Sequence, residues 1–133
     1  MNPKRKGETT EAIIISEMMK RGFDVSVPFG ENTRYDLVLD KGKELKRVQC
    51  KTGRLKGDVV KFNTASTTSN YTETVEKDYS EQVDLFIVYC YENDGLYQIP
   101  IEEIPNSEMK LRIQEPKNNQ KKGINWAKDY RLH

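Results

Sequence analysis

Histidine is almost missing from this chain: of 133 residues one is histidine, and it is the last, His133. Hydrolases of the His-Asn-His type, Ser/His and Cys/His triads and His-ligated zinc sites all need an interior imidazole, so none of them fits. Cysteine is scarce too. Cys50 and Cys90 are isolated from each other, which excludes a disulfide framework and a Cys-rich metal cluster. Both fall in predicted strands and read as reduced, small apolar core residues. Long apolar runs are lacking: the longest, Leu85 to Tyr91, is far too short to span a bilayer. The basic start Met1-Asn2-Pro3-Lys4-Arg5-Lys6 is not followed by the apolar stretch of a signal peptide, so a cytoplasmic protein is expected. The chain has no internal repeat, heptad run, CxxC pair or glycine-rich phosphate loop. Its net charge is only +1, so composition alone does not announce a polyanion-binding protein.

The distribution of charge says more than its sum. Lys41 to Lys61 holds eight Lys/Arg against two acids, and Lys110 to the terminus holds seven against two. Glu73 to Glu103 reverses the balance, with nine acids against one base. A basic side and an acidic side can steer a phosphate backbone onto one face. An ordinary solvated surface is the plainer reading of the same clusters. A length of 133 residues suits one domain, residues 1–133, with a modest core, since hydrophobic residues are 35% and charged residues 32%.

Apolar spacing predicts a helix from about Glu8 to Arg21, capped by Thr9 or Thr10 and ended by Gly22. Met1 to Lys6 would be a flexible basic arm before it. Glu11, Ile14, Ile15 and Met18 share a face, which puts a carboxylate at the edge of the core-facing stripe. Glu11 there is either part of a site or a first-turn acid favoured by the helix dipole. Asp24 to Pro28 reads as an edge strand with Val25 and Val27 on one face. Phe29 to Arg34 is a loop leading into Asp36, and its Glu31 and Arg34 would rim whatever Asp36 builds.

Leu37-Val38-Leu39 is a short apolar strand, and Asp40-Lys41-Gly42-Lys43 is turn chemistry. Arg47 to Lys51 is a second strand. Side chains alternate in a strand, so Val48 and Cys50 point one way and Gln49 and Lys51 the other. If the two strands form a hairpin, Asp36 lies beside Gln49 and Lys51. A carboxylate, an amide carbonyl and an ammonium then meet. The two oxygens are hard ligands suited to Mg²⁺, and lysine can orient a water or hold a phosphoryl oxygen. A solvated hairpin face would carry the same residue types.

Thr52-Gly53-Arg54-Leu55-Lys56-Gly57-Asp58 is expected to be a turn, with Arg54 and Lys56 available to phosphate. Val59 to Thr64 is the next strand. Ala65 to Asn70, rich in Ser and Thr, suits phosphate contacts or a plain loop. Tyr71 and Tyr79 suit base stacking or packing, and Tyr79 to Val83 suits a short helix or turn. Leu85 to Tyr91 should be the central strand. Glu92-Asn93-Asp94-Gly95 makes a tight turn, and Leu96 to Ile99 pairs back. Ile101 to Ile104, bracketed by Pro100 and Pro105, is a loop or helical turn, and Met109 to Ile113 a further strand. Ile124 to Arg131 reads as a short helix anchored by Trp126. In the polar loop before it, Asn118, Asn119 and Gln120 suit base or phosphate contact, or simply a turn.

Asp36 followed by Gln49-Cys50-Lys51 resembles the PD-(D/E)xK nuclease superfamily. Tyr35 stands where that pattern has proline, and Gln49 where it has an acid. Lys6-Gly7, Glu11 and Arg21-Gly22-Phe23 are similar to the archaeal Holliday junction resolvases of this superfamily. Four further features look like its group I intron-encoded homing endonucleases: the Gln-x-Lys variant with Thr52-Gly53, the segment Asp84 to Cys90, Asn118-Asn119-Gln120, and Trp126-Ala127. The similarity covers most of the chain.

The resemblance implies an α/β fold with a restriction-endonuclease-like core, a mixed β-sheet flanked by helices. The residue pattern suggests four to six strands. The implied activity is Mg²⁺-dependent hydrolysis of DNA phosphodiester bonds, with Mn²⁺ able to substitute, leaving 5′-phosphate and 3′-hydroxyl ends. Asp36, Gln49 and Glu11 would hold the metal, and Lys51 would position the attacking water. Arg34, Arg54, Lys56, Asn118, Asn119 and Gln120 would contact DNA, duplex or branched. A homodimer or homotetramer is expected, since paired cuts need paired sites. The alternatives to a homing-type enzyme are a junction resolvase and a DNA-binding module without catalysis.

Overall fold

The computed structural model describes residues 1–65, 81–114 and 123–133. The expectations for residues 66–80, Tyr71 and Tyr79 among them, and for Asn118, Asn119 and Gln120 lie outside the described residues. Among the described residues one α-helix, α1 (Pro3–Lys20), precedes seven strands: β1 (Asp24–Ser26), β2 (Leu37–Lys41), β3 (Glu44–Lys56), β4 (Val59–Asn63), β5 (Leu85–Cys90), β6 (Gly95–Pro100) and β7 (Glu108–Arg112). The 3-10 turns Ile101–Glu103 and Ala127–Asp129 lie after β6 and near the C-terminus. No helix among the described residues is long and apolar enough to cross a membrane.

Strand β3 is the spine of the sheet. Along its first part it pairs antiparallel with β2, with Leu37 opposite Val48. On its other side, from Val48 to Gly53, it pairs parallel with β5. Its last three residues, Arg54 to Lys56, turn to a new antiparallel partner, β4. Beyond these, β1 pairs with β2, β6 with β5 and β7 with β4. The sheet is therefore mixed, and the seven strands exceed the four to six expected, because β1 and β7 both join it.

Both faces of the central strands are buried, which is why Leu85 to Cys90 is continuously apolar. Leu85 and Ile87 face α1 together with Leu37, Leu39, Val48 and Leu96, and Ile14 and Met18 of the helix pack onto them. Phe86, Val88 and Cys90 point to the opposite face. There they meet Val60 and Phe62 of β4, Met109 and Leu111 of β7, Tyr97, Ile99 and Ala127. The tight turn Glu92 to Gly95 forms as expected, with Asp94 at φ 51°.

Several local expectations are corrected. Met1 to Lys6 is not an arm. The helix starts at Pro3, where a fixed φ suits the first helical position, and the Asn2 side chain caps it by accepting the Arg5 N–H at 2.8 Å. Thr9 and Thr10, expected as caps, lie inside the helix and donate their hydroxyls back to the carbonyls of Arg5 and Lys6. Gly22, at φ +90°, does follow the helix end. Strand β1 stops at Ser26, and Val27 is left exposed. Ile124 to Arg131 is not a helix beyond the 3-10 turn Ala127–Asp129. The buried anchor is Ala127, and half-buried Trp126 bridges to Arg112 instead.

The correction with most bearing on function concerns Thr52 to Asp58. It is not a turn: β3 runs unbroken through Gly53 to Lys56, and the chain reverses at Gly57-Asp58, with Gly57 at φ +60°. Gly53 is needed for close approach, not for a bend. A Cβ there would lie 2.9 Å from Val60 Cγ1 and 3.0 Å from Val88 Cγ1. Neighbouring strands supply the hydrogen bonds that hold a glycine extended. Gly53→Ala should therefore cost about 1–3 kcal/mol of stability by overpacking, measured by chemical denaturation. Wild-type stability in that variant would remove the close-approach explanation.

Candidate active site

Asp36 sits one residue before β2, just past the last β2–β3 pair. Its backbone N–H donates to the Val48 carbonyl at 2.7 Å, which carries the ladder one step further. Its side chain then reaches over β3. Oδ2 accepts the Cys50 N–H at 2.7 Å and the Gln49 Nε2–H at 3.3 Å. The carboxylate is thus aimed by the strand that carries Gln49 and Lys51, as the hairpin reading requires. Oδ1 makes no hydrogen bond among the described residues.

The charges of the site work against one another. Burial pushes the Asp36 carboxyl above its ordinary range, and the Cys50 N–H and the Lys51 ammonium oppose that shift only in part. Glu11 is also pushed up, first by burial and then by the Asp36 and Glu8 charges. Glu11, on α1, therefore shares the electrostatic field of Asp36. Lys51 is half-buried, with Nζ 5.9 Å from the centre of the Phe86 ring. Desolvation lowers its pKa, and Asp36 pulls it back up. Burial, then the Asp36 and Glu11 charges, push the Cys50 thiol well up, so it remains a thiol and not a nucleophile.

Asp36, Glu11 and Gln49 each carry side-chain oxygens, the donor type that Mg²⁺ or Mn²⁺ accepts. Among the described residues no group of three or more His, Cys, Asp or Glu is arranged to hold a metal ion. Two partly desolvated carboxyls whose charges repel each other fit a divalent cation, because the ion removes the repulsion. One adjustment is needed: Gln49 presents its N–H to Asp36, so the amide must turn over to offer its carbonyl.

The expected DNA contacts divide. Arg54 and Lys56 stand exposed on β3, and Arg34 is half-buried in the loop before Asp36. Glu31, in the same loop, is exposed.

Two supports were missed in the sequence. The Arg47 guanidinium meets Asp84 through Nε at 3.1 Å and NH2 at 3.2 Å, the Arg47 N–H donates to the same carboxylate at 2.7 Å, and NH1 reaches the Glu81 carbonyl. This clamp locks the start of the parallel β3–β5 pairing two residues before Gln49. The second support is a hydroxyl cluster. Thr10 Oγ1, buried, lies 2.7 Å from Thr52 Oγ1 and 3.0 Å from the Tyr91 hydroxyl. It joins the residue before Glu11 to the residue after Lys51, and so sets the helix against the strand. The only sequence trace was a threonine in the apolar stripe, at Ile14 minus four.

A family model described as PD-(D/E)XK endonuclease matches residues 1–133. The solved structure of a bacterial homing endonuclease, I-Ssp6803I, is similar with a TM-score of 0.71 at 23% sequence identity, covering 98% of this chain and 86% of that one. At that identity the likeness speaks for the fold alone. No curated protein matches.

Two outcomes are expected. A carboxyl whose folded pKa is raised costs no stability below its unfolded pKa, and its full cost appears once the pH exceeds the folded value. Asp36→Asn, neutral throughout and still able to accept the Cys50 N–H, should therefore melt higher than wild type at pH 7. The gap should close as the pH falls below about 4. A lower melting temperature at pH 7 would contradict the desolvation argument. Thr52→Val should cost about 1–2 kcal/mol by leaving part of the buried hydroxyl cluster unpaired, and denaturant titration reads that loss.

Proposed function

We propose that this chain, which belongs to the PD-(D/E)XK endonuclease family, is a divalent-metal-dependent endonuclease that hydrolyses DNA phosphodiester bonds in a defined duplex, in the manner of a homing enzyme. The observation that carries this reading is the Asp36 carboxylate held by the Cys50 N–H at 2.7 Å beside Gln49, with Lys51 and Glu11 in its field. Asp36 is bonded to Gln49 and Cys50, and Glu11 and Lys51 feel its charge, which a merely solvated hairpin would not require.

Asp36, Glu11 and, after its amide turns, the Gln49 carbonyl would hold Mg²⁺, or Mn²⁺ in its place. Such an ion, when bound, lowers the pKa of a water and neutralises charge on the phosphate. The chain's own groups do the rest. Cys50 N–H and Gln49 orient the Asp36 carboxylate before any ligand arrives. Lys51 holds a proton less firmly than a solvated lysine, so it can orient the attacking water or donate to a phosphoryl oxygen as charge builds. Gln49 supplies one negative charge fewer than an acid would, which makes Glu11 the second anionic ligand. Arg34, Arg54 and Lys56 would contact the phosphate backbone, and two or four copies would supply the paired sites for a double-strand cut.

Asp36→Ala should abolish cleavage, and Lys51→Ala should lower it by at least about 10²-fold, in a Mg²⁺-dependent nicking assay. Gln49→Glu should retain or raise metal affinity, read by calorimetric titration with Mn²⁺. Robust cleavage by Lys51→Ala would remove the role assigned to that lysine. The same assay on a four-way junction beside its linear arms separates the homing-type reading from a resolvase: preference for the junction at matched salt would favour the resolvase. Duplex binding without cleavage in either metal would leave a binding module.

A further inference from the structure

The face of β3, β4 and β7 turned away from the core carries charges that an isolated sheet would avoid. The registers place Arg54 opposite Lys61, and Lys61 opposite Lys110, so three cations form one row across three strands. The adjacent row is Lys56, Val59 and Arg112, and the row on the other side of the cation row ends in Asn63 and Glu108. Alternation puts all of these on one face. The opposite face is the core, with Leu55 packed against it and Val60, Phe62, Met109 and Leu111 buried within it. Five cations thus share this face with one acid. No ion pair among the described residues engages any of the five.

Like charges directly opposite each other destabilise a strand pair. Edge protection explains Lys110 and Arg112, because cations on an edge strand discourage pairing with a second sheet. It does not explain Lys61, whose strand β4 is paired on both sides. Nor does it explain Arg54 on β3. A row of cations across a rigid sheet, with no ion pair among the described residues, suits a polyanion that supplies the opposing charge.

We propose that this β3–β4–β7 face is the track on which the duplex's phosphate backbone lies. The inference rests on the reading of the chain as a DNA-acting protein and adds the surface that holds the substrate. Continuity favours this occupant. Strand β3 runs from Gln49 and Lys51 directly into Arg54 and Lys56, with Lys51 and Arg54 about 10 Å apart along the strand. The face lies on the side of the sheet from which α1 brings Glu11, since Thr52, on that side, touches Thr10. Lys51 itself points to the other face, so the track meets the site from the Glu11 side. Strand spacing sets Arg54, Lys61 and Lys110 over about 10 Å. Lys and Arg in such a patch are what backbone phosphates recruit, whereas the centres of protein–protein interfaces are depleted in charge.

The test measures binding of a fluorescein-labelled 40-base-pair duplex of mixed sequence by anisotropy, across a KCl series without divalent cations, so that no strand is cut. Arg54→Gln/Lys61→Gln/Lys110→Gln should flatten the plot of log affinity against log salt by about 2 to 3 units, and Lys61→Gln alone by about 1. Both variants should melt no lower than wild type, because repulsion is relieved. Lys20→Gln/Lys41→Gln/Lys43→Gln removes equal charge from the helix C-terminus and the β2–β3 hairpin tip, and its slope should match wild type. An unchanged slope in the triple face variant would overturn the track. So would a sedimentation change in that variant with DNA binding intact, which would make the face a contact between protein copies. Failure of the wild-type protein to bind duplex at any salt would instead sink the DNA reading itself.

Discussion

Strand β3 must satisfy three partners at once, and that constraint organises the molecule. Antiparallel pairing with β2 brings Asp36 to the Cys50 N–H. Parallel pairing with β5 fixes Gln49 opposite Phe86 and Lys51 opposite Val88. The last residues pass to β4 and open a second part of the sheet. A one-residue slip in the first pairing would send Gln49 and Lys51 to the wrong face. The Arg47–Asp84 clamp, with a backbone N–H donated in each direction, is the polar fixture of that register. It spans strands 37 residues apart in sequence, so it closes only when the parallel pairing is correct.

The candidate site has the character of stored electrostatic cost. Asp36 and Glu11 are both held above their ordinary pKa, and Lys51 below its own, with burial the leading cause in all three. Well-packed neutral side chains would stabilise the fold better at those positions. Raised carboxyls and a lowered lysine around one strand are a pattern found at functional sites and in structural charge networks alike. Rigid support lies around them: the Thr10–Thr52–Tyr91 hydroxyls beneath the helix and the close-packed Gly53 two residues past Lys51. A site that must hold repelling carboxylates needs a frame that cannot relax away from them.

Much of this was legible in the residues. The hairpin and its facing pattern followed from the Asp40 to Lys43 turn and from alternation, both local properties. Leu85 to Tyr91 was central because an uninterrupted apolar run must be covered on both faces. Misreadings came where local chemistry has two uses. Asn2-Pro3 is a helix start as well as a basic tail. Gly53 can make a turn or permit close approach, and only Val60 and Val88 decide which.

What the amino-acid order determined by itself was the first helix, the β2–β3 hairpin and the central strand β5, with Gln49 and Lys51 on one face of β3. It did so because side-chain period and turn chemistry act over a few residues. Tertiary structure alone decided the rest. The parallel β3–β5 register, the Arg47–Asp84 clamp, the burial that displaces the three site pKa values, and the row of Arg54, Lys61 and Lys110 all join segments far apart in the chain. Such pairings depend on which distant strands lie side by side, and no short stretch of sequence carries that information.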